Sequence, residues 1–214
     1  MIKAPSPEKR LSAEELDVLQ EVINISFGRA TAELAEVVDI YVVLSVPHIR
    51  VFSTGERLDF LKAETGGCRS VSVLEQRYWG RFNGVALLVF PGQAGRELVS
   101  MLNDQGDWLQ DDADPELLEK ETLIEVGNII IGACVGKVAE LLSDVVTYSP
   151  PRVVVGSAIE EALGLPGSDA FSIVMKTVFS FKERDVNGML LLLSSADSLG
   201  WLKMALNQFM GQYE

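Results

Sequence analysis

Histidine and cysteine are nearly missing from this chain: His48, Cys68 and Cys134 are all it has. A single histidine cannot complete a Ser-His-Asp triad, and no second ligand stands at zinc-site spacing from either cysteine. Two cysteines make no disulfide framework, and buried reduced thiols are the expected state. Long apolar runs are missing too. The longest, VALLVF at 85–90, is far short of the ~18 residues of a membrane-crossing helix. The opening MIKAPSPEKR has no hydrophobic stretch of the signal-peptide kind, so a cytoplasmic protein with no membrane insertion is expected. Basic residues are outnumbered, 18 Lys and Arg against 31 Asp and Glu, for a net charge of −13. That balance excludes non-specific nucleic-acid binding, which needs clustered cations to meet phosphates. What catalysis remains must use carboxylates, amides, or chemistry supplied by a partner.

What is present is a repeat. Shifted by 104 residues, ELDVLQEVINISFGRATAEL meets ETLIEVGNIIIGACVGKVAEL. Asp17 falls on Glu121, Glu21 on Glu125, Asn24 on Asn128, Ile25 on Ile129 and Gly28 on Gly132. Without a gap, Pro47 then meets Pro151, Asn83-Gly84 meets Asn187-Gly188, and the apolar runs after them coincide. The expectation is one domain, 1–214, made of two tandem copies at about 10–106 and 114–214.

Each copy parses in the same way. Ser12 and Glu15 form a capping box for a helix running to about 38. Asp114-Pro115 supplies an N-cap and first position for a helix to about 143. IYVVLSVPHIRVF and VVTYSPPRVVVGS read as pairs of short strands broken by proline. Longer strands are expected at about 70–79, 81–90, 170–181 and 187–193, with tight turns at the two Asn-Gly pairs. Short amphipathic helices at about 93–103 and 197–210 close the copies. Hairpins rather than βαβ units imply an α+β protein with mainly antiparallel strands. The acidic NDQGDWLQDDADPE reads as a solvated linker, GLPGSD as a loop, and the three tryptophans as packing residues.

Asp17, Glu21, Asn24 and Gly28 lie within about 40° of one line down their helix, opposite Leu19, Val22, Ile23, Ser26 and Ala30. Glu121, Glu125, Asn128 and Gly132 form the same line, opposite Leu123, Val126, Gly127, Ile130 and Cys134. Ile25, Phe27 and Ile129 are read as apolar shoulders. A polar outer face is ordinary for one surface helix. Asparagine is a poor interior helix residue, though, and its recurrence beside the same glutamate favours shared use; common descent can also retain it. Glycine costs about 1 kcal/mol against alanine here, which points to a close approach at Gly28 and Gly132. A Glu and an Asn three residues apart offer an anion for a partner's cation and an amide that positions water without acting as a base. Positioning is most of what phosphoryl hydrolysis asks of a protein.

The doubled Glu-x2-Asn pair, preceded four residues earlier by an acidic residue and followed by Pro about 22 residues on, resembles the Asp/Ser-x3-Glu-x2-Asn pattern of the CheC family of chemotaxis phosphatases, which includes CheX and FliY. The resemblance covers almost the whole chain. It implies an internally duplicated, pseudo-two-fold, largely antiparallel fold with two long exposed signature helices. It implies that the substrate is the aspartyl-phosphate of a CheY-like response regulator, and that any Mg2+ sits on that partner rather than on this chain. Glu21 and Glu125 would pair with the partner's lysine; Asn24 and Asn128 would orient the attacking water. Asp17, Ile25, Gly28, Glu121, Ile129 and Gly132 would belong to the partner-binding surface. The sequence departs from the pattern at Ile23, where the second copy keeps Gly127, and at Glu121, where Asp or Ser is usual. Two complete Glu/Asn pairs favour CheC over CheX. The alternative implied is a non-catalytic adaptor that binds a receiver domain or a CheD-like deamidase.

Overall fold

The computed structural model describes residues 11–37, 42–45, 48–53, 59–60, 63–64, 70–103, 114–157, 171–181, 186–195 and 198–211. Pro47, Cys68, Trp108, most of the acidic linker and the GLPGSD loop lie outside them.

Helix α1, Ala13–Val37, starts from the expected capping box. Glu15 N donates to Ser12 Oγ at 3.1 Å, and Ser12 N donates to Glu15 Oε2 at 2.7 Å. Strands β1 (Val42–Leu44), β2 (His48–Ser53), β3 (Val71–Trp79) and β4 (Gly84–Pro91) follow, then helix α2, Ala94–Asn103. Helix α3, Pro115–Leu141, is capped by Asp114, which accepts from Glu116 N at 3.1 Å. It stops two residues before the expected end. Ser143 takes a left-handed φ of 55°, Ser143 N donates to Glu140 O, and Asp144 N donates to Ala139 O at 2.8 Å. These paired bonds satisfy the last carbonyls and end the helix. Strands β5 (Thr147–Tyr148), β6 (Arg152–Ser157), β7 (Phe171–Phe181) and β8 (Val186–Ser195) and helix α4 (Leu199–Met210) complete the chain. The architecture is α+β, and every strand pairing is antiparallel.

The strands form one eight-stranded sheet of order β1-β7-β8-β4-β3-β5, with β2 also on β7 and β6 also on β3. The short strands of each sequence copy therefore extend the long hairpin of the other. Helix packing crosses over in the same way, with α1 touching α4 and α2 touching α3. The order reads alike from both ends, and at its centre Leu87 faces Leu191, flanked by Ala86 on Leu192 and Leu88 on Leu190.

Two sequence expectations fail in the hairpins. Neither Asn-Gly pair is a two-residue turn. Gly84 opens β4 opposite Tyr78, and Asn187-Gly188 lies inside β8 opposite Ser180 and Phe179. The first connection is instead Gly80–Asn83, because Phe82 is drawn wholly into the core and Asp144 Oδ2 accepts from its backbone N–H at 2.8 Å. The glycines answer to crowding. A Cβ at Gly84 would stand 2.1 Å from the Leu193 carbonyl oxygen, and one at Gly188 would stand 2.1 Å from the Phe179 ring. The ungapped offset also breaks. Glycines 84 and 188 match at 104, but their partners Tyr78 and Phe179 match at 101, because the second hairpin is longer by three residues.

The main core lies between α1, α3 and one face of the sheet, with Leu74, Tyr78, Leu88, Phe90, Met175, Phe179, Leu190 and Leu192 buried there. Each such side chain contributes roughly 1.5–3 kcal/mol by leaving water. The opposite sheet face buries a second cluster around Val71, Val73, Leu87, Val89 and Leu191. Trp79 is not a packing residue: it ends β3 pointing outward and is 51% exposed. Among the described residues α3 alone is long and apolar enough to cross a membrane, and half of its apolar window is buried inside the molecule.

Candidate functional site

The faces named from sequence separate as the helical period requires. Leu19, Val22, Ile23, Ser26 and Ala30 are all fully buried, with Ser26 Oγ donating to Val22 O at 2.7 Å. Leu123, Val126, Gly127, Ile130 and Cys134 are buried on α3. Burial pushes the Cys134 thiol far above its ordinary range, so it stays protonated and inert.

On the outer faces, Asp17, Glu21 and Gly28 are exposed, with Asn24 and Ile25 half-buried. Glu121, Glu125 and Asn128 are exposed, and Ile129 and Gly132 half-buried. Since α1 and α3 pack against each other over the same sheet face, both stripes are carried on one helical layer. A Cβ at Gly28 or Gly132 would meet nothing within 4 Å, so nothing among the described residues explains the glycines. Phe27 is not a shoulder of the stripe: it is 2% exposed and packs in the core. Ile25 and Ile129 do border the line, partly buried against that core.

Beneath the second stripe lies a residue the sequence reading missed. Gln76 of β3 is 6% exposed, between the inward-facing Leu74 and Tyr78. Its Nε2 donates to the Ser149 carbonyl oxygen at 3.0 Å and to Asn128 Oδ1 at 3.0 Å. A glutamine at an inward position of an apolar strand was the available signal, since a buried amide must find partners. Beside it, Tyr148 OH donates to Gly132 O at 3.5 Å, and its phenol is pushed up to about 12, first by burial and then by Cys134.

The first stripe lies over the same serine-to-strand bonds, with a change in the strand residue that meets them. Ser45 and Ser149 correspond at the offset of 104, and Thr177 and Gln76 at the strand offset of 101. Ser149 N donates to Arg77 O and Ser149 Oγ accepts from Arg77 N; Ser45 makes the same two bonds with Val178. Thr177 Oγ1 donates to the Ser45 carbonyl at 2.7 Å, as Gln76 does to Ser149. The shorter threonine adds only a 3.4 Å contact with Ser45 Oγ and makes no bond to Asn24. Among the described residues the Asn24 side chain has no hydrogen-bond partner.

Chemically, each stripe offers carboxylates and one amide on the outer face of its helix. Among the described residues no group of three or more His, Cys, Asp or Glu converges on a metal position. Near the far end of α3, Lys137 holds the Glu140 carboxyl below its usual range, mainly through a 2.9 Å hydrogen bond, with Arg29 of α1 adding to it.

No family model matches the chain. It is similar to the CheY-P phosphatase CheC of Bacillus subtilis (strain 168), 25% identical over 156 residues, covering 72% of this chain and 73% of that protein. Its fold is similar to that of FliY from Thermotoga maritima, at 17% identity and a TM-score of 0.68 over 93% of this chain and 98% of that one. It is also similar to the CheX–CheY–BeF3–Mg2+ complex from Borrelia burgdorferi, at 19% identity and a TM-score of 0.50 over 80% of this chain and 96% of that one.

Proposed function

Because the chain belongs to the CheC/CheX/FliY family, we propose that it accelerates hydrolysis of the aspartyl-phosphate of a CheY-like response regulator. The observation that carries this reading is the doubled stripe: two Glu–Asn pairs at equal spacing on the outer faces of neighbouring helices over one sheet face, with only Asn24 half-buried. We read the chain as one cytoplasmic domain of two tandem copies, each presenting one site.

In each site the glutamate, Glu21 or Glu125, pairs with a lysine of the receiver and fixes its orientation. The asparagine, Asn24 or Asn128, reaches the phosphoryl group and holds a water in line with the bond to be broken. Water oxygen bonds to phosphorus, the P–O bond to the receiver's aspartate breaks, and the water's proton leaves with inorganic phosphate. An amide does not take that proton; it supplies orientation, which is where most of the barrier reduction lies. Mg2+ held by the receiver neutralises the phosphoryl charge. Asp17, Ile25 and Gly28, with Glu121, Ile129 and Gly132, form the surface against which the receiver lies, and the bare glycines leave room for its backbone.

The test is the lifetime of phosphorylated CheY with and without the chain. The full chain shortens it, and the double variant Asn24→Ala, Asn128→Ala leaves it unaltered while remaining folded. Full activity in the double variant overturns the assignment. Binding without any change in lifetime favours the adaptor reading, in which a receiver or a CheD-like deamidase docks on the same helices.

A further inference from the structure

We propose that Gln76 is the positioning residue of the second site, fixing Asn128 with its amide nitrogen outward and making that site the preorganised one of the two. This rests on the phosphatase reading above. The Ser149 backbone carbonyl only accepts hydrogen bonds, so the Gln76 atom 3.0 Å away is the amide nitrogen. The other hydrogen of that nitrogen points at Asn128, so the Asn128 atom facing it, also at 3.0 Å, is the oxygen. With Oδ1 turned inward, the two N–H groups of Asn128 are turned toward the exposed side. A backbone carbonyl thus dictates, through two amides, which end of Asn128 a bound partner meets.

The relay is costly to leave half made. Gln76 is buried, and a buried amide that lost one partner would carry an unsatisfied donor. Asn128 itself is exposed, and without the tether its amide could turn over freely. The other half of the molecule supplies the contrast. There Thr177 bonds only Ser45, through its carbonyl and its hydroxyl, and makes no bond to Asn24. Asn24 must therefore be ordered by the receiver on binding, whereas Asn128 is ordered beforehand, which lowers the cost of reaching the reactive geometry.

The experiment uses the full chain and CheY phosphorylated with acetyl phosphate. Asn24→Ala isolates the second site and Asn128→Ala the first. Gln76→Thr installs the residue that the other half tolerates, so folding is preserved. In the Asn24→Ala chain it lowers kcat roughly tenfold, the effect of one lost hydrogen bond in the transition state, with KM within about twofold. In the Asn128→Ala chain it alters neither. Gln76→Glu has no donor to offer, forces Asn128 to turn its nitrogen inward, and lowers kcat at least as far. Unchanged kcat for Gln76→Thr in the Asn24→Ala chain, or equal losses in both chains, overturns the proposal. If the unsubstituted chain leaves the CheY lifetime unaltered, the phosphatase reading fails instead. The tether is then judged by NMR, where Gln76→Thr must shift the Asn128 side-chain amide resonances and unshifted resonances overturn it.

Discussion

Asn24 and Asn128 occupy matching positions on neighbouring helices, yet the strand side chain beneath them differs. Gln76 supports one, and Thr177, in the matching place, bonds only Ser45. Around both, the serine bonds that bind the short strands to the long ones are the same. A two-fold scaffold is thereby kept while its two sites differ in rigidity. Rigid structure is shared because the sheet needs it from both copies; the amide tether is not needed by the sheet and is free to differ.

The sharpest way to break the comparison is to exchange the residues that face the sheet one place before each asparagine. Ile23 is fully buried, whereas a Cβ at Gly127 would come within 2.5 Å of Leu74 Cδ1. Ile23→Gly removes a packed side chain and adds helix-glycine entropy, for a loss of about 4–5 kcal/mol. Gly127→Ile forces Leu74 aside and costs about 1–3 kcal/mol or more. Urea denaturation reads both, and equal small effects would mean that the two helices sit alike on the sheet. Since a small domain holds only about 5–15 kcal/mol, Ile23→Gly brings it near unfolding.

The next effect concerns two glutamates at the same offset. Glu15 is part of an exposed cap, with Lys203 at 3.6 Å. Glu119 is 3% exposed, accepts from Ser72 Oγ at 2.7 Å and lies 3.5 Å from the largely exposed Arg96. Glu119→Ala removes a buried hydrogen bond from the Ser72 hydroxyl and costs about 1–3 kcal/mol, little of it from Arg96, whose charge water screens. Glu15→Ala costs about 0.5–1 kcal/mol. The ratio of the two losses in urea melts is the measurement, and a larger loss at Glu15 would reverse the assignment of which glutamate is structural.

A gain-of-function exchange tests the site itself. Thr177→Gln places in the first half what Gln76 supplies in the second. In the Asn128→Ala chain, where the first site alone remains, it raises kcat severalfold, up to roughly tenfold for one well-placed hydrogen bond. No gain in phosphoryl-CheY decay would show that the tether is not what separates the sites.

These contrasts also show what could be read from the residues alone. Both caps, the buried faces of α1 and α3 and the element order followed from period and capping chemistry, which act within a few residues along the chain. The stripes were legible for the same reason, as four side chains on one helix line. The pairing of β1 and β2 with β7, and of β5 and β6 with β3, was not, because the partner of a strand leaves no mark on its own alternation. Asn83-Gly84 and Asn187-Gly188 misled because glycine serves two needs. Turn freedom is visible locally; relief of crowding from Leu193 and Phe179 depends on a neighbouring strand. Gln76 was missed because its partners lie 52 and 73 residues away.

The smallest expected effect comes from a pair already exchanged by the chain itself. At the strand offset of 101, Tyr78 corresponds to Phe179, and each packs over a glycine of the next strand, Gly84 or Gly188. Tyr78 carries a hydroxyl there with no hydrogen-bond partner among the described residues. Tyr78→Phe should therefore leave the protein as stable or more stable by about 1 kcal/mol at pH 7, since it removes a buried polar group that nothing satisfies. The sign at alkaline pH follows from the same burial, which raises the Tyr78 phenol well above its ordinary value. An unfolded tyrosine ionises near pH 10, so the folded state loses stability as pH climbs past that point. Tyr148, pushed up to about 12, adds a loss spread between about 10 and 12. Urea midpoints at pH 7 and pH 11 should thus fall less in Tyr78→Phe than in the unsubstituted chain. A variant less stable than its parent at pH 7 would mean that the hydroxyl has a partner, and that the two hairpins differ by a bond rather than by an idle oxygen.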